Sequence, residues 1–418
     1  MKEELPSDWK RERLEKLCLK TSQKDPRKDP ETPFIYVDVS SISTQSFSIV
    51  EAKSLIGKNA PSRARKLIRK DDIIFATVRP TLKRVAIISD EFDNQICSTG
   101  YCVLRPNKMH LFPPFLYFQL LTEKTTNRVA ALQKGATYPA ISDSDLFSQL
   151  ILLPPLPEQR AIARALRAVQ AARETRLREI ALERERKAAL MEHLFTHGTR
   201  GEPTKRTEIG EMPESWEVVK FGKVIISSAF GPRFSSNYYD PDGSVATLRT
   251  TDLDNEGNIN YSTMPLAKLE LDGFKQHLLK SNDFLITRSG TCGIAAIFEA
   301  FEKPVLPGAF IIRFRLSNEI NPLFLKYYVN SQQGRNRILQ LAGGAVQKNL
   351  SGTSLRTFQI PLPLLVDQDA IVRSLIACDS KIAALDHEAH LHDKLFRAML
   401  EELMTGRLRV GALATPSS

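Results

Sequence analysis

"QLILLPPLPEQRAIARAL", Gln149 to Leu166, carries an apolar run into Pro154, Pro155 and Pro157 and then turns into a charged, alanine-rich helical pattern. "QIPLPLLVDQDAIVRSL", Gln359 to Leu375, does the same again. A strand stopped by prolines and followed by a helix marks the end of a domain. Finding it twice calls for a test of internal repetition. A single shift of 209 places Gly135-Ala136 on Gly344-Ala345, Ser142 on Ser351, Leu153-Pro154 on Leu362-Pro363 and Gln159 on Gln368. The same shift runs on to place Ala161-Ile162 on Ala370-Ile371 and Glu192 on Glu401. Nearer the start of each half, with a small change of shift, "LPSDW" (Leu5–Trp9) matches "MPESW" (Met212–Trp216), which uses both tryptophans. "DDIIFATVRPTLKRVAII" (Asp71–Ile88) resembles "NDFLITRSGTCGIAAIF" (Asn282–Phe298) in the same way. The chain is a tandem duplication.

Each half reads as a mixed globular part followed by a long helix. "PFIYVDVS", "DIIFATV", "FLITR" and "AFIIRFRL" are β-branched and aromatic runs separated by turn residues, the pattern of strands. "PPFLYFQLLT" and "NPLFLKYYVN" each place proline in the first turn of a short helix, where its missing N–H costs nothing. From Glu158 to Phe195 and from Asp367 to Met404 there is neither glycine nor proline; each stretch predicts about 57 Å of helix. The second carries Ile371, Leu375, Cys378, Ile382, Leu385, Ala389, His392, Phe396, Met399 and Leu403, an unbroken alternation of four and three. The first follows the same template with Ile162, Leu166, Val169, Ile180, Leu190 and Leu194, but Arg173, Arg176, Glu183 and Lys187 interrupt it. Charges on a face that ought to be buried suggest that another chain covers them, so these four are candidate partner-binding residues. Buried stems of long side chains are the plainer reading.

The expected fold is therefore α+β: two tandem mixed α/β domains separated by two long helices that form an antiparallel coiled coil. The expected boundaries are a first domain at 1–157, a helix at 158–196, a linker at 197–211, a second domain at 212–366, a helix at 367–405 and a tail at 406–418. With a globular domain between the helices, antiparallel pairing would hold the two domains apart and set a spacing.

Composition limits the function. The 418 residues carry a net charge of +10, are 42% hydrophobic and 25% charged, and contain five scattered cysteines. This is the profile of a reduced, cytosolic, soluble protein with neither a secretory leader nor a membrane span. The charge is uneven: residues 1–206 hold 36 Lys+Arg against 25 Asp+Glu, and the rest 22 against 23. Such an excess often marks a nucleic-acid partner. Two like domains at a fixed separation suit a bipartite DNA site, whose half-sites fall at a spacing set by the protein.

The closing blocks "KGATYPAISDSDLFSQLILLPPLPEQRAI" and "GGAVQKNLSGTSLRTFQIPLPLLVDQDAI", with "IGEMPESWEVVKFG" and the two helices, resemble the specificity subunit of type I restriction-modification systems over nearly the whole chain. The resemblance implies two target-recognition domains, each reading one half of an interrupted double-stranded DNA site. It also implies a helix pair that docks two methyltransferase subunits, with restriction subunits when present. The chain departs from a strict repeat where Val346 replaces Thr137 and "QKN" replaces "YPA", and its second half is not basic.

Candidate DNA contacts follow from residue chemistry. In "ATVRPTLKR", Thr77, Arg79, Lys83 and Arg84 follow an apolar strand; arginine can pair with guanine and lysine can hold phosphate. Arg288, Ser289 and Thr291 in "TRSGTCG" are the repeat's counterpart. Arg63, Arg65 and Lys66 belong to a cationic run that could track phosphates, although such runs are usually solvated. Tyr138, and Gln347, Lys348 and Asn349, lie in matching polar loops before the closing strand; Arg249 follows another apolar run. Trp9 and Trp216 are read as core anchors. "NPLF" (Asn321–Phe324) resembles the loop of amino-methyltransferases, but its repeat mate is "FPPF" and helix capping accounts for it. His387, His390 and His392 lack further ligands, and there is no phosphate-binding glycine loop, so no catalytic or metal residue is assigned. S-adenosylmethionine, ATP and magnesium are expected in partner subunits and no cofactor in this chain. The rival readings are a DNA adenine methyltransferase with its own recognition domains, which would bind S-adenosylmethionine unaided, and a coiled-coil adaptor without DNA affinity.

Overall fold

The computed structural model describes residues 6–343 and 349–410. Its chain divides into two compact units, residues 1–178 with 385–418, and residues 179–384.

In the first unit the runs read as strands build two four-stranded sheets. One is antiparallel throughout, in the order Cys18–Leu19, Tyr101–Pro106, Ile73–Ala76, Val85–Ile87. Its strand Ile73–Ala76 is apolar at every position and wholly buried, because both of its faces are covered. The other sheet runs Lys53–Ile56, Pro33–Val37, Ile96–Ser98, Ala64–Leu67, with its central pair parallel. The helix Pro113–Leu121 is buried all round: it opens on proline, carries no charge and fills the core beside Phe75, Leu104 and Leu111. The strand Leu150–Leu153 pairs antiparallel with Lys10–Arg13 and so ties the end of the domain to its beginning.

The second unit repeats the plan. Ile225–Phe230, Ile311–Leu316, Phe284–Thr287 and Ala295–Ile297 form an antiparallel sheet. Val245–Leu248 pairs parallel with Val305–Pro307, and Gln359–Leu362 pairs antiparallel with Glu217–Lys220. Asp71 and Asn282 match in the repeat, and both take the left-handed backbone at φ 68°. In each unit the next residue is a buried aspartate that receives an arginine from the neighbouring strand, Arg105 on Asp72 at 2.7 Å and Arg315 on Asp283 at 3.1 Å.

The prolines act as expected. Pro154 and Pro155 follow the strand Leu150–Leu153, and the first long helix spans Leu156–His197 with Pro157 in its opening turn, where an amide donor has no helical partner. The second long helix spans Leu365–Thr405. Both end at a left-handed glycine, Gly198 at φ +67° and Gly406 at φ +76°, which stops a helix without a Cβ clash. Ile371, Leu375, Cys378 and Ile382 of the second unit and Leu385, Ala389, Phe396 and Leu403 of the first are buried, as the seam requires. His392 and Met399 are half-buried.

The seam's charges are answered within the chain. In the first unit Arg173 pairs with Asp393 at 3.2 Å and Arg176 with Glu388 at 2.6 Å. In the second unit Glu183 pairs with Lys381, and Lys187 pairs with Asp379 at 2.5 Å and Glu256 at 3.0 Å. In each unit, advancing along one helix means retreating along the other, so the two pack antiparallel. Burial works against the charge of Lys187, but the two carboxylates outweigh it and raise its pKa. Facing residues thus already compensate the charges of Arg173, Arg176, Glu183 and Lys187, so these charges do not by themselves call for another chain.

Candidate nucleic-acid interface

The loops read as DNA contacts come together where the strands of each unit end. In the first unit the chain leaves Ile73–Ala76 through Thr77, whose amide and hydroxyl both donate to the Gly100 carbonyl, at 2.8 and 3.0 Å. The buried Thr77 thus anchors the loop and is not presented to a ligand. Arg79 adopts the left-handed backbone at φ 49°, its amide donates to the Pro139 carbonyl at 2.7 Å, and its exposed guanidinium lies 5.6 Å from the Tyr138 ring. The structure thus joins two loops that lie some sixty residues apart in the sequence. Tyr138 is 69% exposed. An arginine fork over a tyrosine face, both open to solvent, is suited to phosphate or guanine recognition.

The other cations of the first unit differ in their surroundings. Arg63 is exposed. Arg65 pairs with Asp25 at 3.2 Å, and Lys66 turns inward to the Tyr101 carbonyl at 2.6 Å and to Asp143 at 2.5 Å, so these two hold their own domain together. Lys83 pairs with Glu123 at 2.6 Å, and Arg84 donates to the Val39 carbonyl at 3.1 Å. Both are half-buried. Of this group Arg79, Tyr138 and Arg63 are the residues offered to solvent.

In the second unit Arg288 follows Phe284–Thr287, with its amide on the Phe310 carbonyl at 2.8 Å and its Nε on Asn349 Oδ1 at 3.2 Å. Its guanidinium lies 5.0 Å from the Phe230 ring. Thr291 and Asn349 are exposed, and Ser289 is buried. Arg249 is held by Asp252 at 2.7 Å and by the Thr263 carbonyl at 2.7 Å. Gln347 and Lys348 lie outside the described residues.

Beside Arg288 stands a group of rings that sequence reading did not single out. Phe230, Tyr238, Tyr239 and Phe310 are 44%, 50%, 43% and 52% exposed. Phe234 packs its ring against Tyr239 at 5.6 Å and Phe274 at 6.4 Å, and His277 Nδ1 lies 2.8 Å from the Phe230 carbonyl. The available signal was "AFGPRFSSNYYD" (Ala229–Asp240), which sets Phe230, Phe234, Tyr238 and Tyr239 around Arg233 without a strand's alternation.

Other candidate chemistry is absorbed by structure. Asn321 caps the helix Pro322–Asn330, accepting from the amide of Leu323 at 2.9 Å, and its side-chain amide donates to Asp369 at 2.8 Å. Trp9 and Trp216 are buried; the indole of Trp9 donates to Glu158 at 3.0 Å. Burial pushes the thiol of Cys18 up to about 12 and those of Cys97 and Cys102 higher still, which keeps them protonated. Among the described residues no cluster of His, Cys, Asp and Glu could hold a metal ion, and no helix is long and apolar enough to cross a membrane.

A family model described as the type I restriction modification DNA specificity domain matches residues 6–184 and again residues 213–389. The chain is 29% identical over 290 residues to the type I restriction enzyme MjaVIII specificity subunit of Methanocaldococcus jannaschii, covering 66% of each. It is 24% identical to the EcoKI specificity subunit of Escherichia coli, covering 76% of this chain and 69% of that one. A solved structure, described as concerning complex assembly and conformational transition of the type I R-M system, superposes with a TM-score of 0.63 and 27% identity. That match covers 97% of this chain and 100% of the other.

Proposed function

We propose how the chain works from the family to which it belongs, the type I restriction modification DNA specificity domains, of which it carries two copies. It is a DNA-sequence specificity subunit of a type I restriction-modification system. Each unit reads one half of a bipartite duplex site, and the chain itself catalyses nothing. Methyl transfer, and cleavage where a nuclease is present, belong to partner subunits that bind S-adenosylmethionine, ATP and magnesium. The observation that best supports this reading is the repeated placement of an arginine loop against a second polar loop, Arg79 with Tyr138 in one unit and Arg288 with Asn349 in the other.

A direct test maps methylated bases in the host genome with and without the gene. Loss of one motif made of two short blocks around an unread gap is the expected result. An unchanged map would overturn the reading and favour the coiled-coil adaptor.

Docking of methyltransferase subunits is proposed on the outer faces of the long helices. Leu182 and Leu391 are related by the repeat shift of 209 and are 64% and 49% exposed. An exposed leucine at the same place in each copy suits two identical partners. Replacing both by aspartate is expected to leave the subunit folded but unable to co-purify with its methyltransferase; each single change should release one copy. Retention of two copies by the double variant would remove these leucines from the interface.

A further inference from the structure

The two units differ in how much charge they bring to DNA. The first holds 34 Lys+Arg against 25 Asp+Glu, and the second 24 against 23. Affinity from phosphate neutralisation grows with the number of cations and weakens with salt. The second unit has almost no net charge to spend in this way, yet it too faces a polyanion. What it carries at the end of its sheet is exposed ring surface. Phe230 closes the strand Ile225–Phe230, and Phe310 precedes the neighbouring strand Ile311–Leu316. The backbones meet closely there: a Cβ on Gly231 would lie 2.0 Å from the Gly308 carbonyl oxygen. Arg288 reaches both, through its amide on Phe310 and its guanidinium over Phe230. Tyr238 and Tyr239 extend the surface, and Arg233 beside them is exposed.

We propose that the second unit holds its half of the duplex by ring contact, with Phe310 and Phe230 set against a base step and Arg288 fixing their position. The first unit holds its half mainly by charge. This rests on the recognition reading above and adds how its second half is carried out. Rings interleaved with Arg233, Arg288 and His277 match a ligand with flat apolar faces and a negative backbone. Apolar side chains wedge into base steps, and stacking tolerates salt because no counterion is released.

The test uses the full chain in complex with its methyltransferase, and a duplex bearing the mapped motif with 2-aminopurine at steps of each block in turn. Phe310→Ala is expected to weaken binding about 5- to 150-fold, the range for one stacked base, with an unchanged slope of log affinity against log salt. Arg79→Ala should instead make that slope shallower by about 0.9, the value for one phosphate contact. Phe310→Tyr keeps the ring and should restore binding, which separates ring loss from misfolding. Fluorescence of 2-aminopurine should rise in the second unit's block on binding and stay low with Phe310→Ala. Full affinity in Phe310→Ala, or affinity lost with a shallower slope, would overturn the proposal. So would normal DNA binding with loss of the methyltransferase, since the patch would then be a protein dock. If the unaltered complex does not prefer the motif over an unrelated duplex, the recognition reading itself fails.

Discussion

Gln159→Ala is expected to lower the stability of the first unit by about 3 kcal/mol, and Gln368→Ala that of the second by a similar amount. Both glutamines are buried, at 1% and 0% exposure, in the first turn of a long helix. Gln159 Oε1 accepts the Phe112 amide at 2.8 Å, while its Nε2 donates to the carbonyls of His110 at 3.0 Å and Pro154 at 2.8 Å. Gln368 repeats this with the Asn321 amide at 2.7 Å and the carbonyls of Glu319 at 3.0 Å and Pro363 at 2.8 Å. Each side chain thus joins three backbone segments: the loop before a core helix, the strand's proline stop and the long helix itself. Alanine would strand one amide and two carbonyls away from water, at about 1–3 kcal/mol for each group left unsatisfied. Water entering the vacated space offsets part of that cost. For a unit of this size, about 3 kcal/mol is a fall of about 6–12 °C in Tm. Calorimetry measures it, with Gln276→Ala as an exposed control expected to move little. A shift under one degree for Gln159→Ala would mean that the repeated "PEQ" and "VDQ" glutamines do not lock helix to domain.

These glutamines also show what the sequence made legible and what it hid. The shift of 209 paired Gln159 with Gln368, and the prolines located the helix starts to within two residues: 158 and 367 expected, 156 and 365 observed. Both signals are local, set by backbone chemistry and by a heptad spacing that survives any tertiary arrangement. The fate of a cation is not local. Lys66 sits in a run that reads as a phosphate track, but its partner, Asp143, lies 77 residues away. The partners of the first seam's charges were hidden for the same reason. Arg173 looks unpaired until Asp393 is placed opposite, and that requires the register of two helices whose facing residues lie more than two hundred positions apart. The ring surface of the second unit is drawn from two segments far apart in the sequence, the stretch that holds Phe230 and Tyr239 and the one that holds Phe310.

Replacing residues 6–153 by the matching segment of a relative with another target is expected to change one block of the methylated motif and leave the other untouched. The physical basis is that each unit encloses its own core. Trp9, Phe115 and Phe118 cluster with Ile162, Leu166, Phe396 and Leu403 in the first, and Trp216, Phe324 and Tyr328 with Leu194, Phe195, Ile371 and Leu375 in the second. The exchanged segment meets Gln159 through backbone groups, which any residue supplies. The polar side-chain ties at the start of the long helix must travel with it or be restored. The Trp9 indole donates to Glu158, and Asp8 shares Arg409 with Glu158 at 2.7 and 2.6 Å. A segment without these groups leaves Glu158, which is mostly buried, with fewer partners, and should loosen the first unit without touching the second. Sequencing that detects modified bases reads the result directly. A motif altered in both blocks, or one that does not change at all, would refute the assignment of one half-site to each unit. A motif altered in the first block alone would mean that specificity resides in residues 6–153 for that block.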